Sequence, residues 1–335
     1  MKKRFIAVAA MALVVVLTFT GCGSNSNNSG GAADDSGSNS EYENSVAMVL
    51  SGLITDEAFN QFTYEGMMRA AEELGIKTAY KESVTQDEQV EIIRQFAKQG
   101  YSIIIGQGGQ FGEALSIVAE EFPDTQFIFS VGTETYDLPN MSAATVSYSH
   151  SGFVGGILAA LTTKTNKVAM VTGEFYDNHR MMEAGFYAGV SYVNPEIETT
   201  AITTGDWADT VKAREACLAL IAQGYDVLFP CLDAAGAGVA AAAQDSEDVW
   251  VVGSVADYAA EYGAEDVTVG SVVFAWEALG YLESTGELCD GQSHVVGMAG
   301  GGIDPVVNMT LTSDQQAIYD AAIKDLSDGK IDIAD

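Results

Sequence analysis

Residues 46–66 read VAMVLSGLITDEAFNQFTYEG. Five consecutive apolar residues (46–50) suit a strand buried on both faces of a sheet. A polar loop (51–57) follows, then the first turn of a helix carrying Phe59 and Asn60. Strand, loop and helix in that order open an α/β sheet, and such folds bind small molecules in the loops at the carboxyl ends of their strands. Phe59 offers a flat ring and Asn60 offers both a donor and an acceptor.

The same unit then repeats. A helix is expected over 58–74, with Phe59, Phe62, Met67, Ala70, Ala71 and Leu74 on one stripe and Gly75 as its stop. Strands at 76–80, 101–105 and 127–131 alternate with helices at 87–99 and 112–121. After a strand at 143–148 and a small-residue helix at 152–161, the pattern restarts. Strands at 168–172, 197–203, 227–231 and 249–253 alternate with helices at 180–193, 208–223 and 236–244. Strand-like 267–274 and 294–298 and helices at 275–284 and 313–326 complete the chain. Alternation of this kind predicts parallel sheets with helices on both faces. The expected fold is therefore α/β, with two doubly wound lobes joined by a hinge. The N-terminal lobe is expected over 45–149 plus about 256–291, and the C-terminal lobe over 150–255 plus about 292–335. Hinged α/β lobes close on a ligand.

Ahead of this body, MKKR is a basic segment, and residues 5–19 form an apolar stretch short for a membrane span. Thr20-Gly21 then precedes Cys22. This order resembles a bacterial lipoprotein leader over 1–21, with Cys22 as the lipidated residue, although Phe19 stands where leucine is usual. An uncleaved anchor is the alternative. Both place the body on the extracytoplasmic face of the cell membrane. Residues 23–44 are nearly all Gly, Ser, Asn and acid, so 22–44 reads as a lipidated cysteine followed by a disordered tether.

Hydrophobic residues make up 47% of the 335, ample for a core. The 47 acids outnumber 15 bases, and the formal net charge is −32. Such a chain repels phosphate backbones, which excludes nucleic acid as a partner. Cys217, Cys231 and Cys289 are far apart, form no C-x-x-C pair and are odd in number, so buried thiols are expected.

No G-x-S-x-G, P-loop or H-E-x-x-H occurs, and His150, His179 and His294 are scattered. The chain reads as a binder with no cofactor or metal, and not as an enzyme. Gly236-Ala-Gly238-Val-Ala-Ala241 loosely fits a dinucleotide turn, but residues 231–235 separate it from the strand, and close helix packing is the favoured reading. The glycine-rich loop 106–112 follows a strand, and Gly108 is its expected closest approach to a ligand, with a simple turn as the alternative. Trp207, in Thr204-Gly-Asp-Trp-Ala-Asp209, could stack on a flat ligand from the second lobe.

Asp56-Glu-Ala-Phe59-Asn60-Gln61 with Glu65-Gly66 resembles the D-x-S-F-N-Q…G stretch of the basic membrane protein family, the solute-binding lipoproteins of ABC importers that include purine-nucleoside receptors. Further matches are Phe122-Pro123, Gly152-Phe153 with Gly155, Glu183-Ala-Gly-Phe-Tyr-Ala-Gly189, Asn194-Pro195, Asp226-Val-Leu-Phe229 and Val249-Trp-Val-Val-Gly253. The resemblance implies a type I periplasmic-binding-protein fold, a small-molecule ligand, an ABC permease as partner and a monomeric receptor. It implies that Phe59 and Trp207 sandwich a base and that Asn60 contacts it. The chain departs from the family where Leu50, Val131, Val255 and Phe274 stand at positions the nucleoside receptors fill with acids and a lysine. Ribose hydroxyls would lose partners there, at about 1–3 kcal/mol for each unsatisfied group. A purine-like nucleobase or related ring is thus expected over a nucleoside, with Arg180, Asp233 and Asp257 as substitute polar contacts.

Overall fold

The computed structural model describes residues 44–55, 59–331 and 333. Cys22, the leader, the tether up to residue 43 and residues 56–58 lie outside them.

The chain opens with β1 (Ser45–Leu50), whose six residues are all buried. There follow α1 (Phe59–Leu74), β2 (Lys77–Lys81), α2 (Gln89–Gln99), β3 (Ile103–Gln107), α3 (Gly112–Glu121), β4 (Gln126–Ser130) and β5 (Met141–Val146). α2 ends where Gly100 takes a left-handed conformation (φ 88°) and returns its N–H to the carbonyls of Ala97 and Phe96. Next come α4 (Tyr148–Thr162), β6 (Lys167–Thr172), α5 (Asp177–Val193), β7 (Glu198–Thr203), α6 (Thr210–Ala222), β8 (Val227–Cys231), α7 (Gly236–Gln244), β9 (Trp250–Val255), α8 (Tyr258–Tyr262) and β10 (Thr268–Phe274). The chain closes with α9 (Trp276–Thr285), β11 (Ser293–Val296), β12 (Ile303–Val307) and α10 (Ser313–Ser327).

These strands form two six-stranded sheets, ordered β11-β5-β4-β3-β1-β2 and β12-β10-β9-β8-β6-β7. Position by position the orders correspond, so each lobe repeats the other's winding. All pairings are parallel except β10 with β12.

The sheet memberships differ from the boundaries expected from sequence. Residues 256–274 stay in the second lobe, because the apolar β10 takes a place between β9 and β12. β11, expected in the C-terminal lobe, is the edge strand of the first sheet. The chain therefore crosses three times: at Ser147, at Ala275 and through residues 297–302. Two sheets of equivalent winding accept the same apolar strand, so strand character alone does not assign it to a lobe.

Each lobe is knitted by a helix pair that meets at glycines. α4 lies on α5, where a Cβ on Gly152 would sit 2.0 Å from the Met182 carbonyl and one on Gly185 2.0 Å from that of Ser149. α1 lies on α9, where a Cβ on Gly66 would sit 2.1 Å from the Glu277 carbonyl. Only glycine permits backbones this close. α4 is buried on nearly every side, as its uniformly apolar and small residues require. Against the first sheet, α9 also carries Glu283, which is fully buried. Burial pushes its carboxyl up to about 8, a shift that the nearby Ser130 hydroxyl only partly offsets.

Candidate ligand-binding site

A cleft of about 900 Å³ runs between the carboxyl ends of the two sets of strands. Its walls come from the β1–α1, β3–α3 and β4–β5 loops of one lobe, and from the loops after β6, β7, β8 and β9 of the other. Of the seven residues expected to bind ligand, Phe59, Asn60, Gly108, Trp207 and Asp233 line this cleft together.

Phe59 is the first residue of α1, and its ring meets Trp276 edge-to-face at 5.1 Å. Asn60 is buried, and its Oδ1 accepts from the Gly52 amide at 3.2 Å, tying the helix start to the loop before it. Gly108 adopts φ 124° and donates its N–H to the Ser130 carbonyl at 3.2 Å. On the opposite wall, Trp207 lies over the backbone of Gly173, where a Cβ would approach its ring to 2.4 Å. The indole stacks with Tyr176 at 6.1 Å and tilts against His179 at 4.8 Å. The Asp206 carboxylate, held below its ordinary range by the amides of Ala208 and Asp209, fixes the Trp207 loop.

Arg180 and Asp257 do not join the cleft wall. Arg180 is exposed, pairs with Glu183 at 2.7 Å and covers the ring of Phe175. Asp257 caps α8, accepting from the Ala259 amide at 3.2 Å and the Ser271 hydroxyl at 3.3 Å. Gly238 is taken up by helix packing: a Cβ there would meet the Thr210 carbonyl at 2.1 Å. The thiols of Cys217 and Cys231 are buried, and burial pushes both up to about 12.

Several wall residues have no signal in the expected motif set. Trp276 follows the end of β10, Tyr148 begins α4, Tyr176 and His179 flank the start of α5, and Tyr258 and Tyr262 belong to the short α8. The available signal was general: Trp276, Tyr148, Tyr176, His179 and Tyr258 stand shortly after a strand end or in the first turn of a helix, whereas Tyr262 closes α8. Three of them carry a buried polar atom with no hydrogen-bond partner, namely His179 Nδ1, Tyr258 Oη and Trp276 Nε1. Burial lowers the His179 imidazole to about 4, so it is neutral at pH 7.

Of the four apolar departures, Val131 and Val255 line the cleft, while Leu50 and Phe274 are in the core behind it. Val131 follows β4 at φ 64°, and Val255 ends β9 at φ 71°. These are topologically equivalent places in the two sheets. A β-branched residue in the left-handed region is a genuine outlier, and such outliers cluster at ligand sites. Among the described residues no group of three or more His, Cys, Asp or Glu could hold a metal ion.

Residues 43–332 match the model of the Bmp family, described as ABC transporter substrate-binding protein PnrA-like. The chain is 27% identical to the ABC transporter nucleoside-binding protein BmpA of Lactococcus lactis, with 99% of each chain covered. It is 28% identical to the transcriptional activator protein med of Bacillus subtilis over 74% of this chain and 77% of that one. Among solved structures, a solute-binding protein of an ABC transporter system from Conexibacter woesei superposes with a TM-score of 0.68 at 26% identity, covering 86% of this chain and 97% of that one.

Proposed function

The chain belongs to the Bmp family of PnrA-like ABC transporter substrate-binding proteins, and on that footing we propose that it holds a flat heterocyclic molecule between two lobes that close on it. It delivers this ligand to an ABC permease from the extracytoplasmic face of the membrane, as a monomer anchored through a lipid on Cys22. Among the described residues no helix is long and apolar enough to cross a membrane.

The observation that carries the ligand class is the placement of rings on facing walls: Phe59 and Trp276 on one side, Trp207 and Tyr176 on the other. Offset or edge-on aromatic contacts favour a planar guest. Phe59, Asn60 and Trp207 are the principal contacts, with Gly108 and Asp233 at the margins. The similarity to a nucleoside-binding protein supports a purine-like ring. Val131 and Val255, apolar on the cleft wall, favour a nucleobase or related ring over a full nucleoside.

Thermal shift against purine nucleobases, nucleosides, flavin and thiamine tests this reading. Stabilisation by free rings supports it. Strong stabilisation by nucleosides with none by free bases would overturn the preference for a base. A second reading, a ligand sensor acting on a membrane partner, is favoured by the similarity to a transcriptional activator protein. Ligand uptake by vesicles holding the cognate permease separates the two.

A further inference from the structure

The charged and aromatic groups on the cleft wall are unevenly matched, and we infer from them that the flat ligand carries a positive charge: an organic cation such as an N-alkylated or protonated heterocycle. The inference rests on the reading that the cleft takes a flat ring, and narrows it.

Seven aromatic side chains line the cleft, with Phe59, Trp276, Trp207 and Tyr176 contributed from both sides. The faces of aromatic rings are negative, and they attract cations lying within about 6 Å of the ring centre. The charged side chains on the same wall are Asp233 and Glu261, and among the described residues no lysine or arginine lines it. Arg180, close by in sequence to His179, is committed to Glu183 and Phe175. His179 supplies no positive charge either, since burial keeps its imidazole neutral at pH 7.

The rest of the molecule works in the same direction. The formal net charge is −32, and a cleft lined by one sign of charge focuses that field on what enters it. An anion would enter against the global field and meet no cation on the wall. A cation would meet rings on both sides and carboxylates at the rim.

Matched pairs of probes isolate the charge: adenosine against 1-methyladenosine, and nicotinamide against 1-methylnicotinamide. Each pair keeps its ring and differs by the charge that methylation confers. Titration of the mature chain is followed by calorimetry and by tryptophan fluorescence, since Trp207 and Trp276 are both on the wall. In at least one pair the cationic member is expected to bind roughly 10-fold tighter or more at low salt. That advantage should shrink at high salt, where charges at the exposed rim are screened. The D233N/E261Q double variant should lower the ratio of the two affinities. If neutral members bind as tightly as cationic ones, or tighter, the charge assignment is overturned and the flat-ring reading stands. If no ring of either charge binds, both fall together.

Discussion

Replacing Val255 by glycine and by alanine should invert the usual order of those two residues. Val255 sits at φ 71°, and the Ala256 amide donates across it to the Ser254 carbonyl at 2.8 Å. That is a three-residue γ-turn of the strained hand. The left-handed region costs an L-residue about 1–2 kcal/mol. Against this, glycine in regular structure is about 0.5–1 kcal/mol worse than alanine because its unfolded chain is freer. Glycine at 255 escapes the conformational penalty while alanine keeps it. Setting one range against the other leaves the glycine variant ahead by about 0–1.5 kcal/mol, with the midpoints roughly 0.75 kcal/mol apart. Both variants lose the half-buried valine methyls, so that loss largely cancels between them. Urea denaturation of the two variants side by side reads the difference. Val131, at φ 64° in the equivalent place of the other sheet, supplies an independent repeat. An alanine variant as stable as its glycine counterpart at both sites would refute the strain argument.

Other outcomes follow from the same geometry. Phe59→Ala and Trp207→Ala should each weaken ligand binding by about 5- to 150-fold, the range of roughly 1–3 kcal/mol that stacking on an aromatic contributes per base. Arg180→Ala, off the cleft wall, should leave calorimetric affinity within about twofold. Gly185→Ala drives a Cβ into the Ser149 carbonyl, and forcing α4 from α5 should cost about 1–3 kcal/mol of stability by denaturation. Glu283 keeps its proton in the folded state to about pH 8, whereas the unfolded chain loses it near 4.5. The folded state thus binds more protons across that window, and stability falls as pH rises through it. Glu283→Gln should therefore gain on the parent between pH 5 and pH 8, by a few kcal/mol at most, and a gain independent of pH would contradict this assignment.

The two-lobed winding was legible because buried parallel strands leave continuous apolar runs such as residues 46–50, and helices between them end at glycines. β12 was not legible: it contains Pro305, and it is tolerated because it is an antiparallel edge strand. α8 is only five residues long, too short for a helical stripe. Phe59, Asn60 and Trp207 could be singled out because each stands just after a loop at a strand's carboxyl end. Trp276 follows the same rule, yet its cleft position depends on the chain crossing back at Ala275, which the linear pattern does not carry. The two acids part company: Asp233 lines the cleft, whereas Asp257 does not. A carboxylate beside a helix start serves equally well as a cap or as a ligand contact, and Asp257 is a cap.

Native mass spectrometry of the protein, purified without denaturation and carrying what it bound in the cell, puts the cleft to the test. A one-to-one adduct of a small ring-containing molecule is expected, lost in the Phe59→Ala/Trp207→Ala double variant. An adduct of an aliphatic or sugar-like molecule, or one retained at full occupancy by that variant, would contradict the flat-ring reading.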